Sequence, residues 1–126
     1  MRDGKLMVLY VEDEPNLAEL LRTGLGLFGM IVSPIYGTAE ALLGKIDTPE
    51  WMAADIFFFD IRLPGMTGLE LAKVLREQGE KRPIVIVSAY NRPEDAVLEE
   101  LQASFQPKPF DFQEIVRTIQ SSVRMC

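Results

Sequence analysis

Along these 126 residues the apolar positions keep switching between two rhythms. Runs that are almost continuously apolar and rich in β-branched or aromatic residues span Lys5 to Val11, Met30 to Ile35, Asp55 to Asp60 and Ile84 to Val87, and Phe105 marks a brief fifth. Such runs predict strands covered on both faces. Between them the period becomes helical. After Glu12-Asp13-Glu14-Pro15 the residues Leu17, Leu20, Leu21, Leu25 and Phe28 share one predicted helical face, and Pro15 suits a first helical position. Thr38 is a candidate N-cap for a helix over Ala39 to Ile46, after which Asp47-Thr48-Pro49 reads as loop. Thr67 and Glu70 have capping-box spacing ahead of Leu71, Ala72 and Leu75. A short helix is expected from Pro93 to about Gln102. Asp111 and Glu114 open a last one, with Ile115, Ile119 and Val123 facing inward. Trp51 and Phe57-Phe58-Phe59 are assigned to packing.

Five βα units in series predict an α/β domain, a parallel sheet with helices on both faces. Proline cannot donate to a sheet ladder and belongs on edges or at strand ends. Pro34 lies in the second strand and Pro107 in the fifth, while the first, third and fourth strands have none inside. The second and fifth strands are therefore the expected edges. That is the doubly wound order 2-1-3-4-5, whose ligands sit beyond the carboxyl ends of the strands near the first and third.

That rim collects chemistry. The first strand delivers Glu12 and Asp13, the third Asp60, the fourth Ser88 and the fifth Lys108. Three carboxylates at one end of a sheet repel one another, so one takes up a proton or a hard cation neutralises them. Ligation by oxygen alone points to Mg²⁺, or to Mn²⁺, with Asp13 and Asp60 as direct ligands and Glu12 acting through water. Asp60 would then attack phosphorus while Lys108, Ser88 and amides of the turn from Ile61 to Gly65 bind the phosphoryl oxygens.

Composition narrows the remaining choices. A hydrophobic content of 48% suits a single domain over residues 1–126. The longest uncharged apolar stretch is well short of the roughly 20 residues that cross a bilayer. The opening Met-Arg-Asp-Gly-Lys is unlike a secretory signal, so a cytoplasmic location is expected and no membrane contact. The lone cysteine, Cys126, excludes an internal disulfide and reads as an ordinary terminal thiol. There is no histidine, so any phosphohistidine must belong to another molecule. A net charge of −6 without a basic run speaks against direct nucleic-acid binding.

Val11-Glu12-Asp13-Glu14, the turn from Asp60 through Pro64 to Gly68, Ser88-Ala89 and Lys108-Pro109-Phe110 together resemble the receiver domain of two-component response regulators, in particular its chemotaxis-regulator-like form. The resemblance covers essentially the whole chain. It implies the flavodoxin-like (βα)5 fold, with Asp60 as phosphoacceptor and Mg²⁺ held by Asp13, Asp60 and the Arg62 backbone carbonyl. Ser88 and Lys108 would bind the phosphoryl group, and Ser88 and Phe105 would serve as the switch pair. Phe105 is otherwise plain edge-strand packing. The implied donor is a sensor histidine kinase or a histidine phosphotransfer protein, and a fused or separate output domain is implied as well. The family's signalling face corresponds here to the fourth helix, the fifth strand and the last helix, and its Lys-Pro bond, Lys108-Pro109 here, is cis.

The chain departs from the family pattern between Ser88 and Lys108, which is shorter here and lacks the usual glycine after the fourth helix. Gln102-Ala103-Ser104 should make a tighter or altered connection. Arg62 and Tyr90, each two residues beyond a site residue, are candidates to restrict water access to an acyl phosphate. Three other functions compete. A Mg²⁺-dependent phosphohydrolase would need an acid/base aspartate where Arg62 stands. A flavodoxin-like cofactor binder would need a phosphate loop where Glu12-Asp13-Glu14 repels phosphate. An unphosphorylated interaction module would not need the acidic set. The expectation is therefore a signalling switch that at most phosphorylates itself slowly from small donors and dephosphorylates itself, not an enzyme.

Overall fold

Strand β1 (Met7–Val11) is buried along its whole length, as its uninterrupted apolar run requires. In the computed structural model, which describes residues 4–90 and 92–124, it is followed by α1 (Pro15–Gly26), β2 (Ile31–Tyr36), α2 (Ala39–Leu43), α3 (Pro49–Ala53), β3 (Ile56–Asp60) and α4 (Gly68–Glu77). Then come β4 (Ile84–Ser88), α5 (Asp95–Leu101), β5 (Ala103–Pro107) and α6 (Phe112–Arg124). The strands are all parallel and lie in the order β2-β1-β3-β4-β5. Pro34 and Pro107 are thus on the two edges, where their missing N–H groups cost no ladder bond.

Alternation along the strands divides the core in two. Leu9, Val11, Phe57, Phe59 and Ile86 face α2 to α5, with Trp51 stacked on Phe57 at 4.9 Å between ring centroids. Val8, Tyr10, Ile56, Phe58, Val85 and Val87 face α1 and α6, whose Leu21, Leu25, Ile115 and Ile119 are fully buried. Burying each such side chain contributes about 1.5–3 kcal/mol, so the two faces hold the sheet far more than helix propensity does. Gly24 is what lets α1 and α6 approach: a Cβ there would lie 2.2 Å from the Phe112 ring.

Several elements differ from their sequence-based outlines. On α1 the inward residues are Ala18, Leu21, Gly24 and Leu25, whereas Leu20 is 48% exposed and Phe28 47% exposed. Leu20 sits one residue, or about 100°, around the helix from Leu21. Phe28 follows the helix end, where Gly29 at φ +80 turns the chain away. The expected helix from Ala39 to Ile46 stops at Leu43, and the supposed loop holds a second helix, α3. There Thr48 accepts from the Trp51 N–H and Pro49 takes the first turn, a cap signature legible in Thr48-Pro49. Strand β1 begins at Met7 rather than Lys5, β2 and β3 each start one residue later than outlined, and α5 starts at Asp95 rather than Pro93.

The connection from α5 to β5 is tight. Gln102 adopts the left-handed conformation, φ 52 and ψ 47, at the C-cap of α5, and β5 begins with the next residue. No membrane-crossing helix occurs among the described residues. Cys126 lies outside them.

Candidate functional site

The carboxyl ends of β1, β3, β4 and β5 meet at one rim, and the sheet register fixes which side chains arrive there. Asp60 is the last residue of β3 and only 6% exposed. Its Cα partner on β4 is Val87, one residue before Ser88, and Ser88 in turn pairs with Pro107, one residue before Lys108. The Lys108 N–H donates to the Ser88 carbonyl at 2.9 Å, and the Lys108-Pro109 bond is cis.

The turn after Asp60 folds straight back into α4. The Gly68 N–H donates to the Ile61 carbonyl, and a Cβ on Gly68 would lie 2.1 Å from the Asp60 carbonyl oxygen, so only glycine fits. Thr67 and Glu70 close a complete capping box, as their spacing predicted. Glu40, from α2, accepts the Met66 N–H at 3.0 Å and ties this turn down from the side.

Carboxylate oxygens of Glu12, Asp13 and Asp60 lie within 4.8 Å of one another. Asp13 is exposed, while Glu12 and Asp60 are buried. The cap of α1 is neither of the first two: Glu14 accepts from Asn16 N–H at 2.8 Å, which leaves Asp13 for the rim. Burial pushes the Asp60 carboxyl up from its ordinary 3.8 to about 6. Glu12 and Asp13 push the same way, and Lys108 partly offsets them.

Lys108 stands between two acids. Its Nζ donates to Glu12 Oε1 at 2.7 Å and lies 3.3 Å from Asp60 Oδ1. Glu12 Oε1 also accepts from the Tyr10 hydroxyl at 2.8 Å, and Oε2 accepts from the Glu14 N–H at 3.2 Å. Desolvation, then Glu12, pushes the Tyr10 phenol well above its usual range, so it remains a donor. Ser88 is 2% exposed and its Oγ accepts from the Tyr90 N–H at 3.0 Å. At the mouth, the Arg62 guanidinium lies 4.3 Å from the centre of the exposed Tyr90 ring. Phe105 is half-buried on β5 opposite Ile86, with the Arg92 guanidinium 5.9 Å from its ring centre.

All the residues singled out from the sequence therefore lie at or beside this rim, except that Phe105 sits deeper along the edge strand. Two further residues reach it unannounced. Tyr10 has a signal in sequence, since alternation puts it on the same side of β1 as Glu12. Glu40 has none, because its partner is 26 residues away.

Comparison with known proteins gives one answer. Residues 8–120 match the family described as response regulator receiver domain. The chain is 35% identical over 122 residues to the two-component response regulator PhoP of Pseudomonas aeruginosa, covering 94% of this chain and 52% of that protein. It is 30% identical to the DNA-binding transcriptional regulator NtrC of Escherichia coli K12, covering 93% of this chain and 24% of that one. The chain thus spans about half and about a quarter of these relatives. The response regulator receiver domain (CheY-like) from Methylobacillus flagellatus superposes with a TM-score of 0.80 at 26% identity, covering 94% of this chain and 98% of that one. The response regulator receiver domain protein (CheY-like) from Methanospirillum hungatei JF-1, at 23% identity, has the same fold with a TM-score of 0.82 over 97% of this chain and 96% of that one.

Proposed function

Since the chain belongs to the response regulator receiver domain family, we propose that residues 1–126 act as one phosphorylation-dependent switch with Asp60 as the phosphoacceptor. The observation that carries this reading is the grouping of Asp60 with Glu12 and Asp13 on one side and Lys108 on the other. In the transfer, an Asp60 carboxylate oxygen attacks phosphorus. The bond from phosphorus to the imidazole nitrogen of a partner's phosphohistidine breaks, and the nitrogen keeps the electron pair.

The three-carboxylate, oxygen-only donor set fits Mg²⁺, with Mn²⁺ as a chemical equivalent. Asp13, Asp60 and the Arg62 backbone carbonyl would hold it, and Glu12 would reach it through water. When bound, the cation neutralises phosphoryl oxygens and lowers the barrier to attack. Lys108 balances the charge gained at Asp60, and Ser88, whose Oγ only accepts from the Tyr90 amide, has its hydroxyl proton free to donate to a phosphoryl oxygen. In the turn, the Ile61 and Leu63 amides already serve the Val87 and Ile61 carbonyls, so a further phosphoryl contact falls to Arg62 or Gly65. Arg62 stacked on Tyr90 screens the acyl phosphate from water.

The aspartyl phosphate, with a charge of about −2 where the carboxylate had −1, is read out through Ser88 and Phe105 onto the face made by α5, β5 and α6. The partners are a histidine kinase or phosphotransfer protein on the input side and an output domain, fused or separate. The setting is the cytoplasm. Intact mass after incubation with Mg²⁺ and acetyl phosphate tests the reading. One labile phosphate adduct, absent from Asp60→Asn, is expected. Continuous release of phosphate from added esters would favour a phosphohydrolase instead, and neither adduct nor turnover would count against both.

A further inference from the structure

The receiver-domain reading uses Glu12, Asp60 and Lys108 but leaves the buried Tyr10 hydroxyl without a task. Tyr10 is fully buried, its ring wedged edge-on against Phe58 at 6.4 Å on the side of the sheet that faces α1 and α6. Its one polar atom reaches past the end of β1 to Glu12 Oε1. That oxygen is the one Lys108 Nζ binds, at 2.7 Å, while the same ammonium is 3.3 Å from Asp60 Oδ1. The four groups form one line: phenol, Glu12 carboxylate, ammonium, acceptor carboxylate.

We propose that Tyr10 is a positioning residue for phosphoryl transfer: by donating to Glu12 Oε1 it sets how Lys108 is shared between Glu12 and Asp60. Two donors on one oxygen compete for its charge, so the phenol loosens the grip of Glu12 on Lys108. It also fixes the Glu12 carboxylate from below, while the Glu14 N–H fixes it from the side. Without the phenol, Lys108 is drawn toward Glu12 and away from the charge that grows on Asp60. The inference rests on Asp60 being the phosphoacceptor, but the placement of Lys108 can be read without any phosphoryl group.

Tyr10→Phe keeps the ring and removes only the hydroxyl. We expect phosphorylation of Asp60 by acetyl phosphate, at saturating Mg²⁺, to slow on the order of tenfold, the scale of one hydrogen bond to a charged group. The Mg²⁺ affinity should not weaken. In a Glu12→Gln background the same substitution should change the rate by less than about twofold, because the effect travels through Glu12. The Lys108 ammonium resonance, followed by ¹H–¹⁵N NMR, should shift in Tyr10→Phe and not shift further when Tyr10→Phe is added to Glu12→Gln. An unchanged rate, equal losses in both backgrounds, a weakened Mg²⁺ site or an unmoved Lys108 resonance would overturn the proposal. If the native chain takes up no phosphoryl group, the switch reading fails, and the Lys108 resonance alone still decides whether Tyr10 positions it.

Discussion

Asp60, the proposed phosphoacceptor, is a side chain whose burial costs the fold stability. Its carboxyl is held near 6 against an ordinary 3.8, chiefly by burial and then by Glu12. Between those values the folded chain keeps a proton that the unfolded chain has released, so in metal-free buffer stability falls as pH rises through that window and levels off above it. Asp60→Asn removes the buried charge. It should be more stable than the native chain by up to about 3 kcal/mol at neutral pH, with the difference closing near pH 4, as urea unfolding across pH would show. Arg62 and Tyr90 act at the same scale. An exposed cation–π pair contributes about 0.5–1 kcal/mol, the strength on which their proposed screening of the acyl phosphate rests. Replacing both by alanine should speed loss of phosphate from Asp60 by about three- to six-fold, measured as decay of the adduct; unchanged decay would remove them from the gating role.

At the level of elements, the connection from α5 to β5 is tight, since β5 begins one residue after the α5 C-cap. Gln102 occupies the left-handed C-cap with its N–H on the Glu99 and Leu98 carbonyls, and its own carbonyl accepts from Arg76. A residue with a Cβ pays about 1–2 kcal/mol for that conformation, and glycine returns part of this as unfolded-state entropy. Gln102→Gly should therefore stabilise the chain by roughly 0.5–1 kcal/mol in chemical denaturation. The turn after β3 follows the opposite logic. Gly68 is irreplaceable because helix α4 starts against the Asp60 carbonyl, so the same glycine that permits the turn also fixes the end of β3.

Across the whole molecule, three carboxylates and one lysine are held at the rim by a sheet packed on both of its apolar faces. A cation that binds this rim only in the fold must stabilise the fold. Mg²⁺ at about a hundred times its Kd should add about 2.7 kcal/mol, reversed by EDTA and largely lost in Asp13→Asn, as thermal melts would report. Much of this architecture was legible in the residues themselves. Uninterrupted apolar runs gave the strands, Pro34 and Pro107 gave the edges, and the edges gave the rim on which Glu12, Asp13, Asp60, Ser88 and Lys108 converge. Local patterns also have limits: the apolar period of α1 includes the exposed Leu20 and Phe28, and α3, capped at Thr48-Pro49, is too short to show a helical period. The sequence by itself determined the order of strands and the kinds of group at their ends, because side-chain period and proline's missing donor are properties of the chain alone. Only the tertiary structure decided that Lys108 rests on Glu12, that Tyr10 shares that oxygen, that Glu40 pins the turn and that Arg62 lies over Tyr90. Those contacts depend on distances of a few ångströms between elements far apart in sequence, which no local pattern encodes.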